Sequence, residues 1–278
     1  MLYHQGTLKS DGATGLASAD STGIGAMFGW DFVYSDNFLW GLTAGYAQSA
    51  IEQGQDKTDV TDWRLGTYFS GQKDFISIDG ALMFGRQSYD KTRMTVLPTE
   101  TFKSTASFSG SSIEATLNIG YDIQSLPLQP GDMSFRPYVG LTVSKMSQDA
   151  YTEQGNSDVN LSVKALNDTS VTTSPGLIAG FVMDEMMILG FQPEYVFFDV
   201  RYDYLLSGGN PKTQAYFSKD ALQASFDCLD NKEKSAFSVG FGINGRFSQQ
   251  TKLNLLVNQR SGSKSTVRTI SASLIYSF

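Results

Sequence analysis

The C-terminal segment of the chain alternates between apolar and small polar residues with a period of two. Residues 269–278 read TISASLIYSF, which places Ile270, Ala272, Leu274, Tyr276 and Phe278 on one face. Successive side chains of a β-strand point to opposite sides of a sheet, so this segment is predicted to be a strand with one apolar and one polar face.

The same alternation recurs along the whole chain. Apolar faces are predicted at positions 24–34, 38–46 and 76–84 (even numbers) and at 63–69, 113–121, 135–143, 177–183, 189–197, 237–247 and 253–257 (odd numbers). In the segment 189–197 this puts Tyr195 and Phe197 on the apolar face, opposite Gln192 and Glu194. Pro137 and Pro193 cannot donate to a ladder, and we expect them at bulges. With a first strand near 2–9, the count is about twelve, an even number as in bacterial barrels.

Charge distinguishes the two faces of these strands. The apolar faces hold no Lys, Arg, Asp or Glu, and an arginine facing lipid near mid-bilayer would cost about 2–4 kcal/mol. We therefore expect the apolar faces to meet lipid and the opposite faces to surround a polar interior. The candidate pore-lining residues are Arg64, Asp79, Glu114, Arg136, Glu194, Arg246 and Arg260. Mutual neutralisation along the wall is a simpler interpretation of these charges than acid–base chemistry.

The predicted connections alternate strictly in length. The short set is 35–37, 72–74, 123–132, 184–185 and 248–250. The long set is 10–20, 49–58, 86–107, 144–169 and 204–233, with 261–265 as a shorter member. Short turns at one end and long loops at the other are typical of a closed antiparallel up-and-down transmembrane barrel of the outer-membrane type. A soluble sandwich of two sheets, the alternative all-β class, gives no reason for such sorting.

Composition narrows the function classes. Charged residues make up 18% of the 278 residues, aromatic residues 13%, and the longest apolar run is too short for a transmembrane helix. The net charge of -7 argues against a nucleic-acid partner. The single cysteine, Cys228, supports neither a disulfide framework nor a cysteine-based zinc site, and we assign no metal or cofactor.

No motif indicates an enzyme. His4 is the only histidine, and we expect it to face solvent or the rim rather than a nucleophile. Residues 240–245 read GFGING, which fits a dinucleotide-binding pattern, but they lie within an alternating strand and no helix is predicted after them. We therefore assign no catalytic residue.

Several segments, taken in order, resemble the C-terminal translocator domain of autotransporters, the type V secretion proteins. The segments are GAMFGWD (25–31), NFLWGLTAGY (37–46), DWRLGTY (62–68), EATLNIGY (114–121), FRPYVGL (135–141), QPEY (192–195) and the YSF ending. The resemblance covers nearly the whole chain and implies a twelve-stranded barrel in the outer membrane of a Gram-negative bacterium. It also implies that the domain supports export of an N-terminal passenger to the cell surface and anchors it there.

The resemblance implies three partners: outer-membrane lipid, the passenger with its linker, and the barrel-assembly machinery, which would read Tyr276 and Phe278. We expect residues 1–278 to be a single barrel domain without its passenger and linker helix, and Met1 to be a trimmed boundary. We further expect Arg64, Glu114, Arg136, Glu194 and Arg246 to hold the linker in the pore. A twelve-stranded channel for small solutes is the alternative function.

Overall fold

The structure, a computed structural model, is built from β-strands. It describes residues 1–9, 18–35, 37–126, 133–155, 158–183, 187, 190–208, 212–220, 225–229 and 233–277. The strands in these ranges are β1 (Leu2–Leu8), β2 (Ala19–Ser35), β3 (Phe38–Gln53), β4 (Asp56–Lys73), β5 (Ile76–Val96), β6 (Thr101–Tyr121), β7 (Ile123–Leu126), β8 (Met133–Gln148), β9 (Tyr151–Thr152), β10 (Leu161–Val163), β11 (Leu166–Val182), β12 (Gln192–Ser207), β13 (Lys212–Phe217), β14 (Phe226–Leu229), β15 (Ser235–Arg246), β16 (Thr251–Gly262) and β17 (Ser265–Tyr276). Among the described residues, no helix is long and apolar enough to cross a membrane.

Twelve of these strands form a closed antiparallel barrel. The order around the wall is β1, β2, β3, β4, β5, β6, β8, β11, β12, β15, β16 and β17, and β17 pairs with β1 to complete the circle. The short β7 pairs only with the beginning of β8. A closed wall satisfies main-chain hydrogen bonds without an exposed sheet edge, as a membrane-spanning sheet requires. The predicted fold class is confirmed, and the two-sheet sandwich is excluded.

Most of the large apolar side chains of the barrel point outward. Trp30 is 64% exposed, Leu65 is 65% exposed and Leu274 is 66% exposed, although all three lie in regular strands. A water-soluble protein rarely exposes so continuous an apolar surface. Buried apolar residues are few and small in the described chain, for example Ala106, Val163 and Ala215, so the fold has no conventional hydrophobic core. Such an inversion is expected of a wall whose outer face meets lipid.

Aromatic pairs mark two levels of the outer face. Near the short turns, Phe32 stacks on Trp40 with ring centroids 4.5 Å apart. The pairs Phe75–Tyr121 and Phe191–Phe247 lie next to other short turns, at 5.9 Å and 5.3 Å. Higher on the wall, Tyr46 packs on Trp63 at 4.5 Å. Aromatic belts of this kind form where a barrel passes from hydrocarbon to headgroups.

Two predicted loops are strands instead. Residues 49–58 form a tight hairpin of β3 and β4 that turns at Gly54, whose φ of 62° is the left-handed conformation that favours glycine. Residues 86–107 are largely the upper parts of β5 and β6, which pair without a break from Ile76↔Tyr121 to Val96↔Thr101. The loop prediction was wrong because both faces of these strands are polar beyond the membrane, so the apolar alternation disappears while the main-chain pairing continues.

The remaining long connections also contain strands. Strands β9, β10, β13 and β14 form a four-stranded sheet that extends the barrel wall at its long-loop end. The β9–β10 pairing (Tyr151↔Val163) keeps the register of β8–β11 (Gln148↔Leu166). In the same way, the β10–β13 pairing (Leu161↔Phe217) keeps the register found at the top of β11 and β12 (Val171↔Ser207). We call these four strands, with the upper parts of β5 and β6, the wall extension. The predicted turn at 184–185 lies outside the described residues.

A bulge in β12 overturns one face assignment. The register with β15 shifts between Pro193 and Tyr195, so one extra residue is accommodated there. Beyond the bulge, Tyr195 and Phe197 face the interior, while Phe198 and Val200 point outward at 46% and 40% exposure. The prediction that Tyr195 and Phe197 face lipid was therefore wrong, because an inserted residue reverses the alternation after it.

Candidate functional site: the inner wall of the barrel

The inner face is identified by a contact that crosses three strands. Tyr68 on β4 lies over Gly41 on β3, and its hydroxyl donates a hydrogen bond to Asp31 on β2. Such a contact is made on the concave side of a curved sheet. Asp31 alternates with the outward-facing Trp30 and Phe32, and paired residues on neighbouring strands share a face, so the register extends this assignment around the wall.

The contact is repeated on the other side of the barrel. Tyr138 on β8 lies over Gly176 on β11 and donates a hydrogen bond of 2.7 Å to Asp199 on β12. A Cβ atom at Gly176 would lie 2.4 Å from Cζ of Tyr138, and one at Gly41 would lie 2.4 Å from Cζ of Tyr68. Only glycine leaves room for the ring at these two positions. We call the two arrangements the tyrosine clamps.

A related contact uses the tyrosine that the sequence prediction placed in lipid. Tyr195 lies over Gly180 on β11, and its hydroxyl is 2.8 Å from the hydroxyl of Ser134 on β8. The β12 bulge described above turns Tyr195 inward and so makes this contact possible.

All seven candidate pore-lining residues lie on the inner face. Arg64 donates from Nε to Asp62 at 2.6 Å, and the side-chain amide of Gln87 donates to the same carboxylate at 2.8 Å. Asp79 accepts a hydrogen bond of 2.6 Å from the Ser70 hydroxyl. The inner wall thus satisfies these charges with its own side chains, while their role in a pore stays a prediction.

Two further arginines of this set are also paired. Arg136 forms an ion pair with Asp122 near the short turns. Arg246 lies 3.2 Å from Glu194, which joins two of the candidates. Glu114 faces the interior between Met83 and Ser144 and forms none of the ion pairs found in the described part of the chain.

Arg260 belongs to a larger cluster at the long-loop end. Asp203 accepts from Arg260 at 3.0 Å and from the Ser174 hydroxyl at 2.8 Å, and Nε of Arg201 lies 2.9 Å away. Arg260 also approaches Glu233 at 3.7 Å. The prediction missed Asp203 and Arg201 because the alternation assigned to residues 189–197 ended before them. The alternation of Phe198, Val200 and Tyr202 with Asp199, Arg201 and Asp203 was the available signal.

Glu233 lies above this cluster, at the entrance to β15. Burial by itself would raise the pKa of its carboxyl group. Hydrogen bonds from the Lys264 main-chain N–H at 2.6 Å and from the Ser265 hydroxyl at 2.8 Å, together with the charge of Arg260, outweigh burial and hold the pKa below its ordinary value. The carboxylate therefore ties the β16–β17 hairpin to the start of β15.

A buried ion pair holds the wall extension together. Arg93 on β5 forms a forked contact with Glu153, with Nε at 2.9 and 3.1 Å from the two carboxylate oxygens, and it also donates to the Val159 carbonyl at 2.7 Å. The Glu153 side chain is only 1% exposed, and it accepts from the Leu161 main-chain N–H as well. Hydrogen bonding to Glu153 raises the pKa of Arg93 above its already high ordinary value. The pair fixes Glu153, Val159 and Leu161 on the inner side of β5 and β6.

The remaining predicted residues have structural positions of their own. His4 was expected to face solvent or the rim, but it faces the interior over Gly23, because its ladder partners Gly23 and Thr269 lie on the inner face of β2 and β17. Tyr276 lies on the outer face at the end of β17, opposite Thr251, while Phe278 lies outside the described residues. No group of three or more metal-ligating side chains occurs in the described ranges.

Comparison with known proteins supports the interpretation of the fold. A family model described as the Autotransporter beta-domain matches residues 3–258. The structure is similar to the translocator domain of autotransporter NalP from Neisseria meningitidis, with a TM-score of 0.77 at 15% identity over 100% of this chain and 86% of that chain.

Two further solved structures are similar. The transport unit of the autotransporter AIDA-I from Escherichia coli gives a TM-score of 0.70 at 13% identity, covering 100% of this chain and 88% of that chain. The beta domain of the Bordetella autotransporter BrkA gives 0.64 at 16% identity, with 100% and 98% coverage. A search among curated protein sequences gave no match.

Proposed function

This chain belongs to the autotransporter β-domain family, and from that premise we propose how its inner wall and outer face work. The chain is an outer-membrane translocator domain of a Gram-negative bacterium. It supports the export of an attached N-terminal passenger to the cell surface and anchors it there. The passive-channel alternative is less supported, because the family and the similar structures are translocators.

Residues 1–278 act as one translocator domain, and their work is transport rather than chemistry. Translocator domains of this family are typically not enzymes. Two observations support a non-enzymatic role here. The inner carboxylates of Asp31, Asp79 and Asp199 accept hydrogen bonds from tyrosine or serine hydroxyls, and His4 faces Gly23 rather than a nucleophile.

The closed wall with its charges on the inner face is the observation that carries the transport mechanism. Its polar lining lets a polypeptide segment cross the hydrocarbon region without meeting lipid. Arg64, Glu114, Arg136, Glu194 and Arg246 line the passage and hold the linker that follows the passenger. Because the three arginines are already paired with wall carboxylates, the linker meets a nearly neutral polar surface and is held by many individually weak polar contacts along its length.

Passenger exposure tests the transport function directly. In intact cells that express the full-length protein, added protease should remove the passenger and leave the barrel intact. A passenger that stays protected, although the barrel is folded in the outer membrane, would overturn the assignment. Heat-modifiable gel mobility reports barrel folding independently of export.

Channel recordings test the lining residues. Replacing the five together by glutamine should increase the conductance noise of a barrel that carries its linker, because the linker loses polar contacts with the wall. The matched control is Lys57→Gln with Asp59→Asn, an exposed ion pair on the outer face. Equal noise in the two variants would show that the five side chains do not hold the linker.

Two partners are proposed for the outer face. Membrane lipid covers the apolar band between the aromatic pairs, and the barrel-assembly machinery reads Tyr276 and Phe278 at the end of the chain. Tyr276→Ala should slow insertion into the outer membrane, while Leu253→Ala, which removes an outward side chain from the neighbouring strand, should not. Equal insertion rates for both variants would count against the recognition role.

A further inference from the structure

The outer face of the barrel carries two cations where its apolar band ends toward the long loops. On β5 the outward residue that follows Phe84 is Arg86, and on β8 the outward residue that follows Val143 is Lys145. A single strand, β6, separates β5 from β8 in the wall. Both side chains are exposed, that of Arg86 to 61%. The two cations therefore lie on one stretch of the outer surface.

The register of the strands gives the depth of each cation. Arg86 pairs with Trp63, which belongs to the upper aromatic level, and with Ser111 on the other side. Lys145 pairs with Ile113, which is 44% exposed and lies one outward position lower than Ser111. The stem of Lys145 thus starts at the hydrocarbon boundary, where its charge is unfavourable unless the flexible stem carries the ammonium up to the headgroups. Both charges consequently lie at headgroup depth.

Hydroxyl groups fill the space around the two cations. Ser111 lies between Arg86 and Ser147 in one row of the wall, and Lys145 pairs with Thr169 on β11 in the row below. Neither the Ser111 nor the Ser147 hydroxyl forms a hydrogen bond with another described residue. Neighbouring strands are about 5 Å apart, so β5 and β8 are separated by about 10 Å. We call Arg86, Ser111, Lys145, Ser147 and Thr169 the outer cation patch.

Nearby carboxylates leave the positive charge of the patch largely uncompensated. Lys145 forms none of the ion pairs found among the described residues, and Arg86 pairs there with Asp149 alone, at 3.6 Å. Both partners of this contact are more than half exposed, so the contact is weak and readily exchanged. The outward carboxylates of Asp59 and Asp90 lie two outward positions above the level of Arg86. The patch thus stays positive in a chain whose net charge is -7.

We propose that the outer cation patch binds the phosphate groups of a phosphorylated lipid in the outer leaflet. The inference rests on the outer-membrane placement given above, in which the long loops lie outside the cell. A phosphate group accepts a forked pair of hydrogen bonds from a guanidinium and further bonds from an ammonium and from hydroxyls. A lipid also covers Phe84 and Ile113 with its acyl chains, directly below the cations. A free anion makes no use of that apolar surface.

The position of the patch gives the bound lipid a role in orienting the barrel. Strands β5 and β6 continue above the patch as the wall extension, and with 21 residues each they are longer than β16 and β17, which have 12 each. A headgroup bound at their base fixes the depth of this long side in the outer leaflet. The lipid thus supports the side of the barrel that projects furthest from the membrane.

Binding of lipid A to the purified barrel tests the proposal. Native mass spectrometry in detergent compares lipid A that carries two phosphates with lipid A from which both phosphates have been removed. We expect the parent barrel to bind the phosphorylated form about tenfold more tightly or better. Arg86→Gln combined with Lys145→Gln should abolish this preference. The matched control, Lys57→Gln with Lys103→Gln, removes two cations from the outer face above the headgroups and should bind as the parent does.

Three results would overturn the proposal. They are an unchanged preference in the Arg86→Gln/Lys145→Gln variant, an equal loss in the control variant, and displacement of lipid A by inorganic phosphate, which would indicate a site for free anions. Heat-modifiable gel mobility verifies that each variant is folded. Passenger exposure in intact cells is measured separately. Exported passenger with an unchanged lipid preference in the patch variant refutes the patch alone, whereas a parent protein that binds lipid A but leaves its passenger protected refutes the transport function alone.

Discussion

The tyrosine clamps make a quantitative prediction at Gly176. In Gly176→Ala, the new Cβ atom would lie 2.4 Å from Cζ and 2.6 Å from the hydroxyl oxygen of Tyr138, far inside van der Waals contact. The ring must move, and its 2.7 Å hydrogen bond to Asp199 is lost. Overpacking costs about 1–3 kcal/mol, and a hydrogen bond to a charged group contributes about 1.5–3 kcal/mol. We expect a loss of about 2.5–6 kcal/mol in the free energy of unfolding.

Two comparisons separate the steric cost from the hydrogen bond. Tyr138→Phe removes only the hydroxyl and should cost about 1.5–3 kcal/mol. In a Tyr138→Ala background, Gly176→Ala should cost almost nothing, because no ring occupies the space. The matched glycine control is Gly45→Ala on β3, where the nearest atom to a Cβ is 3.4 Å away. That substitution should change stability by less than about 1 kcal/mol, since alanine loses less main-chain entropy than glycine on folding.

Urea titration of the barrel in lipid vesicles, followed by tryptophan fluorescence, measures these differences. The reasoning fails if Gly176→Ala unfolds at the same urea concentration as Gly45→Ala. It also fails if the cost of Gly176→Ala is the same with and without the Tyr138 ring. Either result would mean that the ring does not depend on the glycine beneath it.

Three further predictions concern the wall extension, the Glu233 carboxylate and the outer face. Glu153→Ala leaves the Arg93 guanidinium buried without its partner, and we expect proteinase K, which has little sequence preference, to cut between residues 153 and 161 at least tenfold faster while heat-modifiable mobility is unchanged. Arg93→Lys, which keeps the charge but not the forked contact, should be cut at an intermediate rate. Equal cutting rates in the parent and Glu153→Ala would refute the role of the pair. The folded-state pKa of Glu233 lies below its ordinary value of 4.5, so the stability that its carboxylate contributes is present above that value and is lost as pH falls through the folded pKa. Amide exchange at residues 264–265 should therefore accelerate over this acidic range in the parent protein, and Glu233→Gln should lack this acceleration. Identical exchange profiles in the two proteins would contradict the assignment. Lipids with a spin label near the headgroup should quench the fluorescence of Trp40 from one leaflet and that of Trp63 from the other leaflet, because the two residues lie at different aromatic levels. If neither tryptophan is quenched, these faces do not meet lipid.

The transmembrane part of the fold is predictable from sequence because the membrane imposes a strong constraint. Hydrocarbon on one side and a polar interior on the other force the alternation seen in β3 through β6, and a charge such as Arg64 can face only inward. The same physics explains where prediction ends. Above the membrane both faces are polar, so residues 86–107 carry no apolar alternation although they continue two paired strands.

Local irregularities and cross-strand contacts are less accessible to sequence analysis. The bulge at Pro193 was suggested by the proline, but the reversal of Tyr195 and Phe197 that follows from it was missed. The tyrosine clamps depend on which glycine lies beside which tyrosine after the register is set. Gly176 is 38 positions from Tyr138, and the local sequence around either residue does not indicate that the two are in contact.

The strands of the wall differ greatly in length, and this shapes the mouth of the barrel. Strands β5 and β6 have 21 residues each, whereas β16 and β17 have 12 each. At about 3.3 Å per residue, one side of the rim stands roughly 30 Å taller along the strand direction than the other. The rim is therefore asymmetric. A polypeptide that emerges beside β16 and β17 leaves the barrel early, while the taller wall formed by β5 and β6 obstructs the opposite side. The emerging polypeptide is thus directed parallel to the cell surface.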